Sequence, residues 1–411
     1  MIPARFTPSK WTFLFLMLAA MMILMGGAAV APALPLISAA YPEVPEATIS
    51  LIITLPALAI ACTGIFIGAL SDRIGKIKVL VASVAIFTIA GSSGFYLTSL
   101  YAILVGRFIL GIGIAGIICT TSALIIYYYE GLSRARVLGY QAAAMGVGVL
   151  ILETSGGLLA GISWRAAFLI YLVGVVIIAG VLLTMREPVR EKVEVIQGAA
   201  EETFPTFPLV FGYMTLFLGN LLFFLLPTKF PYLITHMDGA RVLGENTALT
   251  AGIFLGIMGC ASSLVGLFYG RVAWRFHRYT ILIASFLFFG IGLCSLGFAT
   301  SLVTVTFAVI CIGIGEGILM PTILTWIAAV TPKQFLGRAM GGFSVSLNLG
   351  QFASTLAIVP VIAIASTLGN MFLVFGCVAF ALALPYIFTV TKEKYFNASS
   401  KSVVEQKDII S

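Results

Sequence analysis

The polar residues of this chain come in short groups separated by long apolar runs. An α-helix needs about 20 apolar residues to cross the hydrocarbon of a bilayer. Twelve runs reach that length: 11–39, 48–70, 79–98, 101–128, 137–162, 165–185, 207–234, 246–270, 279–298, 302–328, 338–364 and 367–390. Several exceed the minimum, which predicts tilted helices. Glycine and proline recur inside them, as membrane helices tolerate. The run that follows Arg5 and Lys10 is too long for the apolar core of a secretion signal and is read as a retained first span.

The polar groups between the runs predict an orientation. With the N-terminus inside, nineteen Lys and Arg fall on inner segments: Arg5, Lys10, Arg73, Lys76, Lys78, Arg134, Arg136, Arg186, Arg190, Lys192, Arg271, Arg275, Arg278, Lys333, Arg338, Lys392, Lys394, Lys401 and Lys407. Three, Arg165, Lys229 and Arg241, fall outside, and Arg107 lies within a span. Such a bias sets topology, so both termini are expected in the cytoplasm and the chain in the plasma (inner) membrane. The outer segment with Lys229, His236, Asp238, Arg241 and Glu245 reads most simply as a solvated loop. His236 and His277 belong to no metal-ligand pattern, and no cofactor motif is present.

The longest internal polar stretch, "REPVREKVEVIQGAAEETFPTF" at 186–207, divides the chain. The expected units are an N-terminal six-helix bundle (1–185), a cytoplasmic linker (186–206), a C-terminal six-helix bundle (207–390) and a polar, mobile cytoplasmic tail (391–411). The halves repeat. "GALSDRIGKIK" at 68–78 and "GLFYGRVAWRF" at 266–276 superpose with a shift of 198, which puts Gly68 on Gly266 and Arg73 on Arg271. "RVLGYQAAAMGVG" at 136–148 and "RAMGGFSVSLNLG" at 338–350 superpose with a shift of 202, which puts Arg136 on Arg338 and Gly139 on Gly341. A duplicated six-span unit with the substrate path between the halves is a known transporter plan.

Composition agrees with lipid as the solvent. Hydrophobic residues make up 60% and charged residues 9% of the 411, against about a quarter charged in soluble domains. The net charge of +7 is spread in small groups between spans, which topology explains without nucleic acid. The six cysteines all lie inside apolar runs, as small buried hydrophobes do, and suggest no disulfide framework.

"GALSDRIGKIK" resembles the signature loop between spans 2 and 3 of the major facilitator superfamily, on Gly68, Asp72, Arg73, Gly75, Lys76 and Lys78, with Ile77 interrupting the basic pair. The resemblance implies an all-α membrane fold of twelve transmembrane helices in two pseudo-symmetric six-helix bundles. It also implies that Asp72 faces the start of span 11, around Arg338 to Gly342, and closes the cytoplasmic side in the outward-facing state. A carboxylate at the positive end of a helix is the physical basis of such a latch. Glu130, beside Arg134 and Arg136, then becomes a candidate partner of Arg73.

Ionisable residues inside spans are rare and expensive. Arg107 lies in "VGRFILGIGIAG" on span 4, four residues before Gly111, and resembles a family signature tied to proton coupling. The alternative is an arginine that snorkels outward or binds backbone carbonyls. Glu316, among Gly313, Gly315 and Gly317, is read either as a group that takes a proton or meets a cationic substrate, or as a structural acid. Glu153 lies in "LILETSGGLLA", roughly 16 Å deep. Drug–proton antiporters of the family carry a glycine pattern in this span, which Gly148, Gly156 and Gly157 match, while Leu152 and Glu153 replace its Gly-Pro. A desolvated acid there is a candidate proton carrier, or a protonated structural residue. Asn220, Asn348 and Gln351 either line a cavity or bond between helices.

The expected function is secondary active transport, with proton-driven efflux of a small organic compound by a monomer. An importer or uncoupled facilitator is the second reading. A membrane enzyme lacks a catalytic constellation here, a receptor without transport leaves the acids unexplained, and direct ATP drive lacks a phosphate loop.

Overall fold

The structure is a computed structural model that describes residues 8–187, 205–237, 246–332 and 335–410. Among these residues, twelve helices are long and apolar enough to cross a membrane. They are α1 (Lys10–Ala40), α2 (Glu46–Ile74), α3 (Lys76–Tyr96), α4 (Leu100–Tyr128), α5 (Arg136–Ile162), α6 (Ala166–Thr184), α7 (Thr206–Thr235), α8 (Thr247–Arg275), α9 (Arg278–Gly297), α10 (Leu302–Val330), α11 (Leu336–Ala365) and α12 (Leu368–Thr391). Every apolar run became a helix because lipid offers the backbone no hydrogen-bond partner.

The ends obey local chemistry. Ser9 caps α1 through a reciprocal pair with Thr12, and the Asn246 side chain accepts from the N–H of Leu249 to start α8. Gly75, with φ +113°, ends α2 and turns the chain into α3, a conformation that an L side chain rarely adopts.

The structure adds three details. Asp72 and Arg73 lie on the last turns of α2 rather than in a loop, because the helix runs on to Ile74. The helix that begins at Leu368 runs on through the polar tail to Ile410. α1 is not continuous: it passes through 3-10 turns at Met22–Leu24 and Ala31–Ala33. Gly26, Gly27, Pro32 and Pro35 cluster at that break, where Pro32 and Pro35 lack a backbone donor. Residues 188–204 of the expected linker lie outside the described residues, as do Lys333, Asp238, Arg241 and Glu245.

The helices form two six-helix bundles, α1–α6 and α7–α12. Within the first, α4 packs on α2 and α3; within the second, α9 packs on α12 and α10, and α8 packs on α10. The bundles meet along α5–α8 and α2–α11. Chain direction defines two faces: a terminal face, where α1 begins, and a far face, where α1 ends and α2 begins.

At the far face helices touch backbone to backbone, both within the first bundle and between the two. A Cβ on Gly156 would strike the carbonyl of Ala29, one on Gly157 that of Ala248, and one on Gly252 that of Glu153. Small residues let helices approach this closely. Toward the terminal face the same helices part. Gly146 of α5 meets Ser263 of α8, yet Gly139 and Gly270, two turns on along the same helix faces, meet nothing. Gly337 also faces open space, and Leu264, Leu267 and Phe268 are exposed. The two bundles are therefore closed at the far face and open at the terminal face.

Gly156→Leu is expected to destabilise the protein by about 1–3 kcal/mol through overpacking, while Gly139→Leu changes little. Thermal unfolding of the purified variants measures both.

Candidate functional site

Arg107 is fully buried, and its surroundings follow from two helix defects. Pro56 inside α2 has no N–H, so the carbonyl of Ile52, four residues earlier, loses its helical donor. Arg107 Nε supplies one at 2.7 Å. The break in α1 frees the carbonyls of Met25 and Gly26. Arg107 Nη2 donates to Gly26 O, and Tyr171 Oη donates to Met25 O at 3.0 Å. Tyr171 in turn accepts from Arg107 Nη1 at 2.8 Å, and its ring lies 5.2 Å from the guanidinium. One planar fork thus joins α1, α2, α4 and α6. Arg107 is bound to backbone carbonyls rather than extended toward the membrane surface.

Glu153 is 3% exposed, and its Oε2 has no hydrogen-bond partner. Its neighbours on α5 locate it. Gly156 abuts the break in α1, Gly157 abuts α8, and the Glu153 carbonyl abuts Gly252 of α8, next to Pro32. Glu153 therefore stands where the two bundles close on one another.

Glu316 is also buried with an unpartnered Oε2. The glycines on either side pack on α8 at Met258 and Ser262, and Leu319 fits onto Gly219 of α7. One turn toward the terminal face, Met320 is exposed on the same side of α10. Asn220 is buried beside Gly350 with Nδ2 unpartnered. The other two polar candidates bond to backbone: Asn348 Nδ2 to Ser344 O at 2.8 Å within α11, and Gln351 Nε2 to Ile53 O at 3.4 Å across the α2–α11 seam. Thr54 and Thr355 meet in that seam at 2.9 Å.

Of the signature residues, Asp72 finds its partner within the signature itself. Asp72 is paired with Lys76 at 2.8 Å and largely exposed. α2 and α11 come together instead at Ile65 and Gly341, where a Cβ on the glycine would lie 3.9 Å from Ile65, about 10 Å nearer the far face than Asp72. Gly68 faces Cys119 inside its own bundle. Arg136 and Arg338 are exposed, the latter 6.0 Å from the Phe335 ring. Glu130 precedes α5, where its carbonyl accepts from Ser133 Oγ.

Three residues escaped the sequence reading. Tyr171 is an ordinary aromatic in an apolar run, and nothing local signals its phenol as an arginine partner. Glu187 follows α6 and reaches back to the start of α3, accepting from the N–H of Lys76 at 2.5 Å and of Ile77 at 3.0 Å. A carboxylate there satisfies free helix donors, and Gly75 leaves it room. Lys229 corrects an expectation. It is not in a solvated loop but 3% exposed inside α7, paired with Glu46 of α2 at 2.5 Å.

The profile of the Major Facilitator Superfamily matches residues 16–268 and 242–409. The chain is 26% identical over 330 residues to the class C tetracycline resistance protein of Escherichia coli, which covers 78% of this chain and 81% of that protein. It is 24% identical over 314 residues to a multi-drug resistance efflux pump, the PmrA homolog of Lactococcus lactis, with 74% and 75% covered. Among solved structures, a bacterial homolog of the human lysosomal transporter Spinster superposes with a TM-score of 0.75 at 15% identity, over 93% of this chain and 97% of that one.

Arg107→Lys, with one point donor in place of a fork, and Tyr171→Phe are each expected to lower stability by about 1–3 kcal/mol, since each leaves buried acceptors unmet. Thermal unfolding without substrate checks this.

Proposed function

We propose that this chain, which belongs to the Major Facilitator Superfamily, is a proton-coupled exporter of a small organic compound that works by alternating access. It is an integral, multi-pass membrane transporter. The terminal face is taken as cytoplasmic from the Lys and Arg bias. The arrangement described above is then inward-open, and the two bundles, 1–185 and 207–390, are the moving bodies.

The observation that carries the reading is the position of Glu153. An unpartnered carboxylate lies in the seam that must open and close in each cycle. Closing a dry seam over an ionised, unpaired carboxylate is expensive. Closure therefore selects the neutral acid, and opening to the outside lets it exchange its proton with water. Closure holds a proton bound outside, and its release toward the terminal face completes the inward movement that an efflux pump needs. The relatives named above as a resistance protein and an efflux pump support export as the direction. Glu316 is read as the group that meets the compound or a second proton, a reading supported by its buried, unpartnered Oε2. Asp72, unengaged while the terminal face is open, would reach the start of α11 when that face closes.

In proteoliposomes with an imposed proton gradient, Glu153→Gln is expected to lower gradient-driven transport at least 10-fold while leaving gradient-independent exchange of substrate measurable. Ionophore-insensitive transport by the wild type would favour a facilitator. Asp72→Asn is expected to impair transport several-fold with normal membrane insertion, and full transport by that variant rules out the latch.

A further inference from the structure

The far face carries a charge pair that neither the family signature nor the transport reading uses. Glu46 lies in the first turn of α2, in the first bundle, and Lys229 lies on α7, in the second. Their side chains meet at 2.5 Å. Their environments differ sharply. Lys229 is 3% exposed, with Nζ 4.8 Å from the centre of the Tyr232 ring, whereas the Glu46 side chain is 49% exposed. Tyr232 also crosses between bundles, donating from Oη to Leu34 O of α1 at 3.4 Å.

We infer that Lys229 and Glu46 form the outer latch, a positioning pair whose contact holds the far face closed. A buried ammonium without its carboxylate is an uncompensated charge. While the far face is shut, Glu46 is the group that compensates it. When the bundles part there, Glu46 leaves with α2 and rehydrates readily, being half in water already. Lys229 must then find water in the opening gap. The closed state is thus favoured by the pair, and the open state is reached only by hydrating Lys229.

The asymmetry ranks the variants. Glu46→Gln leaves Lys229 buried and unpaired in the closed state, so opening gains the most. Lys229→Met removes the buried charge and leaves Glu46 half-exposed, so opening gains less. The exchange Lys229→Glu with Glu46→Lys restores a pair. The inference rests on the alternating-access part of the proposal above, but on neither its proton nor its substrate.

The test reads the seam itself. Thr355, buried against Thr54, is changed to cysteine in a chain whose six native cysteines are replaced, and labelled with a water-soluble maleimide in nanodiscs, where both faces are accessible. Relative to this parent, Glu46→Gln is expected to label about 10-fold faster, Lys229→Met about 3-fold faster, and the exchanged pair within 2-fold, as opposing charge changes shift a two-state equilibrium. A Glu46→Gln rate equal to the parent's, a larger effect from Lys229→Met, or no recovery in the exchanged pair overturns the latch. Thermal midpoints of the same samples separate altered closure from misfolding, and Lys229→Met, which strands no buried charge, decides the matter if Glu46→Gln does not fold. Labelling needs no substrate and no gradient. Failure of proton-driven transport would leave this result standing, and failure here would leave the transport reading intact.

Discussion

In lipid, every backbone carbonyl released from a helix must find a donor within the protein. That constraint organises the first bundle around Arg107. Proline in α2 and the broken turns of α1 release the carbonyls of Ile52, Gly26 and Met25, and one guanidinium with one phenol takes up all three. The irregular backbone that a mobile helix needs is thereby made tolerable. Arginine serves here because its rigid fork reaches several acceptors at once and keeps its charge while buried.

The same break in α1 places the acid. Gly156 can approach the Ala29 carbonyl only because it has no side chain of its own, and that approach brings Glu153 to the junction of α1, α5 and α8. The far-face seam is therefore tight and built on glycine backbone, with the unpartnered Glu153 carboxylate inside it and the Lys229–Glu46 pair beside it. A tight seam makes the acid's charge state matter, since a looser one would admit water and decouple protonation from closure. Toward the terminal face the glycines at 139, 270 and 337 have no neighbours, and Asp72 falls back on Lys76.

The fold was largely legible in the chain. All twelve spans fall within a few residues of their expected limits, because a membrane helix is a local object set by the length and apolarity of one segment. The repeat of Gly68–Arg73 at Gly266–Arg271 was legible for the same reason. Glu153 and Glu316 could be singled out because a charge in an apolar run is anomalous wherever it points, and both prove buried with an unmet oxygen. The limits of α2 were less legible, since charged residues continue a helix beyond the hydrocarbon as readily as they end one.

What a linear pattern could not supply is partnership. Arg107 was equally readable as a proton-coupling residue or a carbonyl ligand, and only the packing of α1 and α2 around it shows which carbonyls it holds. Lys229 looked like a loop cation because its partner lies 183 positions earlier. Glu187 and Tyr171 carried no signal, since a carboxylate after a helix and a tyrosine within one are common. By itself the sequence determined the membrane, the number of helices, the two halves and the anomalous acids. Each of these depends on the burial preference of a single segment. The tertiary structure decided which face is open, which charges are paired and which acid sits in the seam, because those depend on distances between segments that no single segment encodes.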